Sequence, residues 1–313
     1  NLNYNDEYGV FEIGMSKKGE IKTLSNLVKP DIAIITNVAE AHIENFKDLK
    51  GIAKAKAEII QNIKDKGTLI LNRDDKFFNF FNKIAIKRKL KIITFGANSN
   101  SEIKLNSNFK TKNYHSASVK IANKTIKIKN KEINIYNLLA SIAVIETLNL
   151  DINKIIKNLF NFKYLSGRGK ISKILRFNKS FQLIDESYNA NPLSVEKSIL
   201  NLSSLNNHKN KKYVLLGDML ELGNRSDFYH KNISKVINKS NINKLFVYGH
   251  NSMNTYKHTM IKKRGNILQN LDDFDDVFKD VINTNDYLMI KGSNSTGLHK
   301  ITNSLKQRGS NAL

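Results

Sequence analysis

The chain has 313 residues, 40% of them hydrophobic and 25% charged, with no cysteine. That length allows two domains with sizeable cores, and the lack of cysteine excludes disulfides and thiolate metal sites, as suits a reducing cytoplasm. No apolar run reaches the roughly 18 residues of a membrane span and no signal segment opens the chain, while the net charge of +23 is scattered among Asn and Ile along its whole length, which speaks against a dedicated nucleic-acid surface.

Short apolar runs alternating with helical spacing predict βαβ units and a mostly parallel sheet. Strands are expected at Gly9 to Ile13, Ile32 to Ile35, Thr68 to Leu71 and Lys91 to Phe95, with helices over Leu49 to Ile63 and Phe77 to Ile86. From Glu102 to Lys129 the period changes to two, predicting an antiparallel insert that turns at Asn123-Lys124. Helices follow at Ile135 to Leu148 and Ile152 to Leu159. A link near Phe162 to Lys170, holding Ser166, Gly167 and Gly169, predicts a boundary between a first domain over 1–164 and a second over 165–313. The second alternation has strands at Phe181 to Ile184, Tyr213 to Leu216, Leu245 to Tyr248 and Tyr287 to Ile290. Its helices fall near Leu193 to Leu205, Asp227 to Ile237, Phe274 to Ile282 and Thr296 to Gln307, the pattern of a smaller doubly wound, Rossmann-like domain.

Polar clusters stand just after these strands, where an open α/β sheet presents groups to a ligand. Asp185-Glu186-Ser187-Tyr188-Asn189-Ala190-Asn191-Pro192 follows Phe181 to Ile184 and leads into a helix with Ser194 near its start. On composition alone it could be an ordinary strand-to-helix turn. Glu12 ends the first expected strand, placed for a hard cation such as Mg²⁺ or for a surface role. His42 lies after the second strand, near Asn37 and Glu40, as a ligand or a structural histidine. Lys56 sits between alanines within a helix where Lys54 and Glu58 could simply pair. Arg168, between two glycines, could reach a phosphate with its planar fork. Asn134 and Asn137 could read a base edge, or be an N-cap and a surface amide. Gly217 to Gly223 and Lys291-Gly292-Ser293 are further strand-end loops.

Taken in order, these loops resemble the Mur ligases across essentially the whole chain. Phe11 to Gly14 is similar to the family's metal-binding strand end, Asn37 to His42 to its histidine loop, and Ala53 to Glu58 to the segment bearing a carbamylated lysine, here Lys56. The octapeptide resembles the member that joins D-alanyl-D-alanine to a UDP-N-acetylmuramoyl-tripeptide. The resemblance implies an ATPase-type central domain and cytoplasmic ATP-driven amide formation through an acyl phosphate, in cell-wall precursor synthesis, by a monomer with no membrane span. It implies Mg²⁺ held by Glu12, His42 and carbamylated Lys56, with His42, Lys56 and Arg168 at the chemistry. Asn134, Asn137, Arg168, Asp185 and Tyr188 would hold ATP, and Asn189, Asn191, Lys291 and Ser293 the substrates.

Two residues depart from the family: Ile133 stands where a histidine precedes the adenine helix, and Asn294 where arginine follows Lys291-Gly292-Ser293. The chain also contains no Gly-x-x-x-x-Gly-Lys-[Ser/Thr] phosphate loop. It is therefore expected to be the C-terminal part of a longer enzyme, inactive alone. The other expectations in play are a sister ligase adding a different amino acid and a non-catalytic module derived from the ligase.

Overall fold

The computed structural model describes residues 3–110, 115–130, 134–158, 165–205 and 210–310. Contacts divide the chain into two compact units, residues 1–38 with 45–161 and residues 39–44 with 162–313. The boundary expected at 164/165 falls at the edge of residues 159–164, which lie outside the described residues, as does Ile133.

The first unit runs α1 (Glu20–Val28), β1 (Ile32–Ile35), α2 (Leu49–Lys56), β2 (Thr68–Asn72), α3 (Phe78–Lys87), β3 (Lys91–Gly96), β4 (Ile103–Lys110), β5 (His115–Ile121), β6 (Lys124–Asn130), α4 (Ile135–Thr147) and α5 (Ile152–Asn158). Its sheet has the order β1-β2-β3-β4-β5-β6, with β1 to β4 parallel and β4 to β6 antiparallel. Pleating sends Ile70 and Phe95 to one face, where they meet the apolar side of α4, and leaves Leu69 and Leu71 buried on the other. The helix expected over Leu49 to Ile63 is α2 followed by a tighter 3₁₀ stretch, Ala57–Asn62. The insert turns at Ala122-Asn123, one residue earlier than expected, with Ala122 in the left-handed region at φ 49°.

No strand forms over Gly9 to Ile13. Strand propensity is realised only when a neighbour supplies backbone partners. Among the described residues β1 pairs only with β2, and the segment is solvent-facing, with Val10 98% and Phe11 52% exposed. Helix α1, which sequence patterning did not reveal, has Gly19 as its N-cap with φ 93°.

The second unit runs β7 (Lys170–Arg176), β8 (Lys179–Glu186), α6 (Pro192–Ser203), β9 (Lys212–Gly217), α7 (Ser226–Lys239), β10 (Lys244–Tyr248), α8 (Ser252–His258), β11 (Arg264–Leu268), α9 (Phe274–Phe278), β12 (Tyr287–Lys291) and α10 (Leu298–Ser310). The sheet order is β11-β10-β9-β12-β8-β7, parallel except for β7. Alternate residues Tyr213 and Leu215, Phe181 and Leu183 join Phe274 and Phe278 of α9 and Ile301 and Leu305 of α10 in one core. Val214 and Leu216 take the opposite face, so the unit is doubly wound as expected. Strands β7 and β11 and helix α8 were not legible from periodicity. β7 occupies the far side of what reads as a linker, and its alternation is interrupted by lysines, Lys170 and Lys173. Among the described residues no helix is long and apolar enough to cross a membrane.

Candidate active site

In the second unit the ends of β8, β9 and β12 come together because these strands are parallel neighbours, and each end carries one of the polar loops. Asp185 belongs to β8 itself and is fully buried. Its Oδ2 accepts from the Gly167 amide at 3.1 Å and pairs with Lys306 of α10, while its Oδ1 accepts from the Ser187 hydroxyl at 2.6 Å and amide at 3.2 Å. Burial pushes this carboxyl up, but the bonds from Lys306 and Ser187 outweigh it and hold the group below its ordinary range. Asp185, expected to meet a nucleoside, has both oxygens engaged inside the protein.

Tyr188 is exposed, and the Arg168 guanidinium lies 4.4 Å from its ring centroid. Arg168 is flanked by glycines at φ 77° and 93°, a backbone that L side chains rarely adopt. A Cβ on Gly167 would come 2.7 Å from that of Tyr188, so glycine is required by space as well as by conformation. Asn191 caps α6 in a reciprocal capping box with Ser194. Asn189 gives its carbonyl to the Lys291 ammonium at 2.9 Å.

Lys291 is itself only 2% exposed and also lies 3.4 Å from Glu186. Burial pushes its amine below the ordinary lysine value, the nearby Arg168 adding to this and Glu186 opposing it. Ser293 accepts from the Leu220 amide at 3.0 Å, and its own amide donates to the Asp218 carbonyl at 3.0 Å. The three strand ends are thereby tied to one another. Asn294 is exposed.

His230, not singled out by sequence, holds the β9 loop in place. It is buried, its Nε2 accepts from the Met219 amide at 3.1 Å, and its Nδ1 therefore carries the proton and donates to the Ser226 carbonyl at 3.0 Å. Burial lowers its pKa from 6.5. The available signal was its position one turn from Ile233 on the apolar face of the expected helix. Residues 39–44 pack with the same loop: the Glu44 amide donates to the Glu221 carbonyl at 3.1 Å, and His42 Nδ1 is 2.5 Å from Glu221 Oε2. His42 and Glu221 both have positive φ, at 54° and 62°.

In the first unit Lys56 ends α2, part-buried, with its pKa lowered by burial against the opposing charge of Asp75. Such an amine has more of the neutral form that reacts with carbon dioxide to give a carbamate. Glu58 does not serve as a helical partner for Lys54. Its carboxylate accepts from the Gly19 and Lys22 amides at the N-terminus of α1, at 2.9 and 3.1 Å, where the helix dipole favours an anion. Asn134 is the N-cap of α4, accepting from Tyr136 and Asn137 amides, and Asn137 is exposed one turn further on.

Two acids after β2, which sequence reasoning passed over, organise this edge. Asp75 accepts from the Val38 amide at 2.8 Å. Asp74 accepts from Ala97 and Asn98 amides and from the Tyr136 hydroxyl at 2.8 Å, which with burial pushes that phenol up to about 12. Their signal was the run Asn72-Arg73-Asp74-Asp75 directly after a buried strand.

Mg²⁺ needs convergent oxygen ligands. Among the described residues no group of three or more His, Asp or Glu side chains could hold a metal ion. Glu12 lies on the exposed unpaired segment and His42 contacts Glu221. Within its own unit, none of these donors is placed with others to fit a resident divalent cation.

Each unit is an α/β fold with polar loops at the carboxyl ends of parallel strands, the layout in which such folds present groups to a ligand. Residues 1–145 match the Mur ligase middle domain, and residues 173–294 match the glutamate ligase domain of the Mur ligases. The chain belongs to the Mur ligase family. It is 33% identical over 321 residues to the UDP-N-acetylmuramoyl-tripeptide--D-alanyl-D-alanine ligase of Buchnera aphidicola, a match covering 97% of this chain and 66% of that one. Its fold matches crystal structures of MurF from Acinetobacter baumannii, with a TM-score of 0.84 at 21% identity over 98% of this chain and 66% of that one. It also matches MurF from Thermotoga maritima in complex with ADP, with a TM-score of 0.80 at 22% identity over 95% of this chain and 66% of that one. The chain spans between about half and two thirds of the length of the curated relatives it matches.

Proposed function

We propose that this chain is part of an ATP-dependent ligase that joins D-alanyl-D-alanine to a UDP-N-acetylmuramoyl-tripeptide. The observation that carries the reading is the second unit's cross-tied strand ends, on which Arg168 and Tyr188 stand at the rim above buried Asp185 and Lys291. The relatives' names supply the substrates. In this reading the tripeptide's terminal carboxylate attacks the γ-phosphorus of ATP, giving an acyl phosphate and ADP. The dipeptide's amine then attacks the acyl carbon, an amide forms, and inorganic phosphate and a proton leave.

The residues' work is positioning and charge neutralisation. Arg168 would meet the transferring phosphoryl oxygens, with Lys56 and His42 at the acyl phosphate. Tyr188, Asn134 and Asn137 would contact the nucleoside, and Asn189, Asn191 and Ser293 the incoming dipeptide. Mg²⁺ enters as the companion of the ATP phosphates. The protein would act in the cytoplasm as a monomer, as sedimentation velocity can test.

The decisive assay measures phosphate release and product mass with ATP, Mg²⁺, the UDP-tripeptide and D-alanyl-D-alanine, on the protein as it is expressed in its own cell. D-alanyl-D-alanine-dependent turnover is expected. Turnover only with another amine would transfer the chain to a sister ligase, and no turnover would leave a binding module. The 313 residues alone lack a phosphate loop and are expected to bind ATP weakly; tight saturable binding in calorimetry would contradict this.

A further inference from the structure

Arg168 sits between two glycines with positive φ, an arrangement that by itself leaves a long side chain free to wander. In this fold the glycines are fixed from below. The Gly167 amide donates to Asp185 Oδ2, the Gly169 amide to the Asp185 carbonyl at 2.7 Å, and the Tyr188 amide to the Gly167 carbonyl at 3.2 Å. Lys306 reaches the same carboxylate from α10 and lies 3.4 Å from the Ser166 hydroxyl, so a single ammonium spans the loop and its anchor. The other carboxylate oxygen is held by Ser187, whose hydroxyl is 3.3 Å from that of Thr302, again on α10. Asp185 is wholly buried, whereas Tyr188, three residues on, is 48% exposed and stacked on Arg168.

We propose that Lys306 and Asp185 are positioning residues for Arg168. The pair, a buried carboxylate and a partly exposed ammonium, clamps the Ser166–Gly169 loop to β8 and to α10, and so sets where the guanidinium stands. The proposal rests on the ligase reading for what Arg168 does, and assigns to α10 a role in the reaction that it would otherwise lack. Asp185 then touches no substrate. Its charge orders a loop and is matched by Lys306, because an unmatched buried carboxylate would protonate and lose the acceptor geometry on which the Gly167 amide depends.

The test is a kinetic cycle on the turnover-competent protein with Lys306→Met, Lys306→Arg, Asp185→Asn, Arg168→Ala and the double variant Lys306→Met/Arg168→Ala. Lys306→Met is expected to lower kcat by roughly tenfold to a hundredfold, the scale of misplacing one catalytic group by about an ångström. It should do so with little change in KM for D-alanyl-D-alanine and with recovery in Lys306→Arg. In the Arg168→Ala background the same substitution should have almost no further effect. Equal losses in both backgrounds would overturn the proposal. So would an Asp185→Asn defect that disappears with 2′-deoxy-ATP, since that outcome makes Asp185 a direct ribose ligand.

Hydrogen exchange supplies a readout that does not need turnover. Amides of residues 165–170 should exchange faster in Lys306→Met while those of β9 and β10 stay protected. Unchanged exchange at 165–170 would overturn the clamp. If Lys306→Met does not fold, Ser187→Ala, which loosens the same carboxylate, carries the same expectations. A wild-type protein that never turns over would sink the ligase reading, and the exchange result would still decide whether the loop is clamped.

Discussion

At the carboxyl edge of the second unit's sheet, Asp185 is fully buried, Lys291 is 2% exposed and Ser293 is 9% exposed, each bonded to a neighbouring strand end. In the first unit, Glu12 and Asn137 are exposed, and Glu12 lies on a stretch that pairs with no strand among the described residues. The same chemical vocabulary is therefore held rigidly at the second unit's strand ends and loosely on the first unit's Gly9 to Ile13 stretch, although Asp74 and Asp75 are firmly bonded in that unit too. Parallel neighbouring strands explain the rigid case, because their ends lie side by side and can be cross-tied. An unpaired segment has no such neighbours and its side chains depend on what else meets them.

The sharpest way to break this contrast is to remove the buried anchor. Asp185→Ala leaves the Gly167 amide and Lys306 without their partner, and should destabilise the second unit by about 3–5 kcal/mol, read as a fall in its urea midpoint. A loss below about 1 kcal/mol would mean that the edge is not held by its buried charges. Gly167→Ala should follow at about 1–3 kcal/mol, because alanine must enter φ 77° with its Cβ against Tyr188.

Acid should then separate the units. His230 has its pKa lowered by burial, so between its folded value and 6.5 the unfolded chain binds more protons than the folded one. Its contribution is present in full above pH 6.5 and is lost as pH falls through the folded value. The second unit's urea midpoint should decline over that range, and the decline should be blunted in His230→Gln. Asp185, also lowered, acts in the same sense but in the carboxylate range below 3.8. The smallest effect is expected at the loose edge: Glu12→Gln should leave stability within about 0.5 kcal/mol of wild type, whatever it does to turnover.

The parallel cores were legible because buried strands such as Thr68–Asn72 and Lys212–Gly217 are continuous apolar runs bounded by polar ends. The loops at those ends were legible for the same reason. What could not be read was which way a polar group points. Asp185 and Tyr188 are three residues apart, and only the fold shows that one is inside and the other outside. Asp74 and Asp75 were passed over in the sequence, yet they bond amides of Ala97, Asn98 and Val38 that lie far away in it. The strand expected at Gly9 to Ile13 failed in the opposite direction, since a local pattern cannot state whether a partner strand is present. Lys306 had no local signal at all. Its significance comes from a contact across 121 positions of sequence.

The two outer strands of the first unit's sheet differ in how they would receive another chain. Among the described residues strand β6 alternates isoleucine with lysine, so a copy of itself laid against it would bring Lys127 near like charges. Strand β1 has only four residues, all uncharged, with Ile34 38% exposed. Like charges set opposite one another disfavour pairing, so Lys127 would oppose a copy of β6 laid beside it, and added salt, which screens such repulsion, would weaken that opposition.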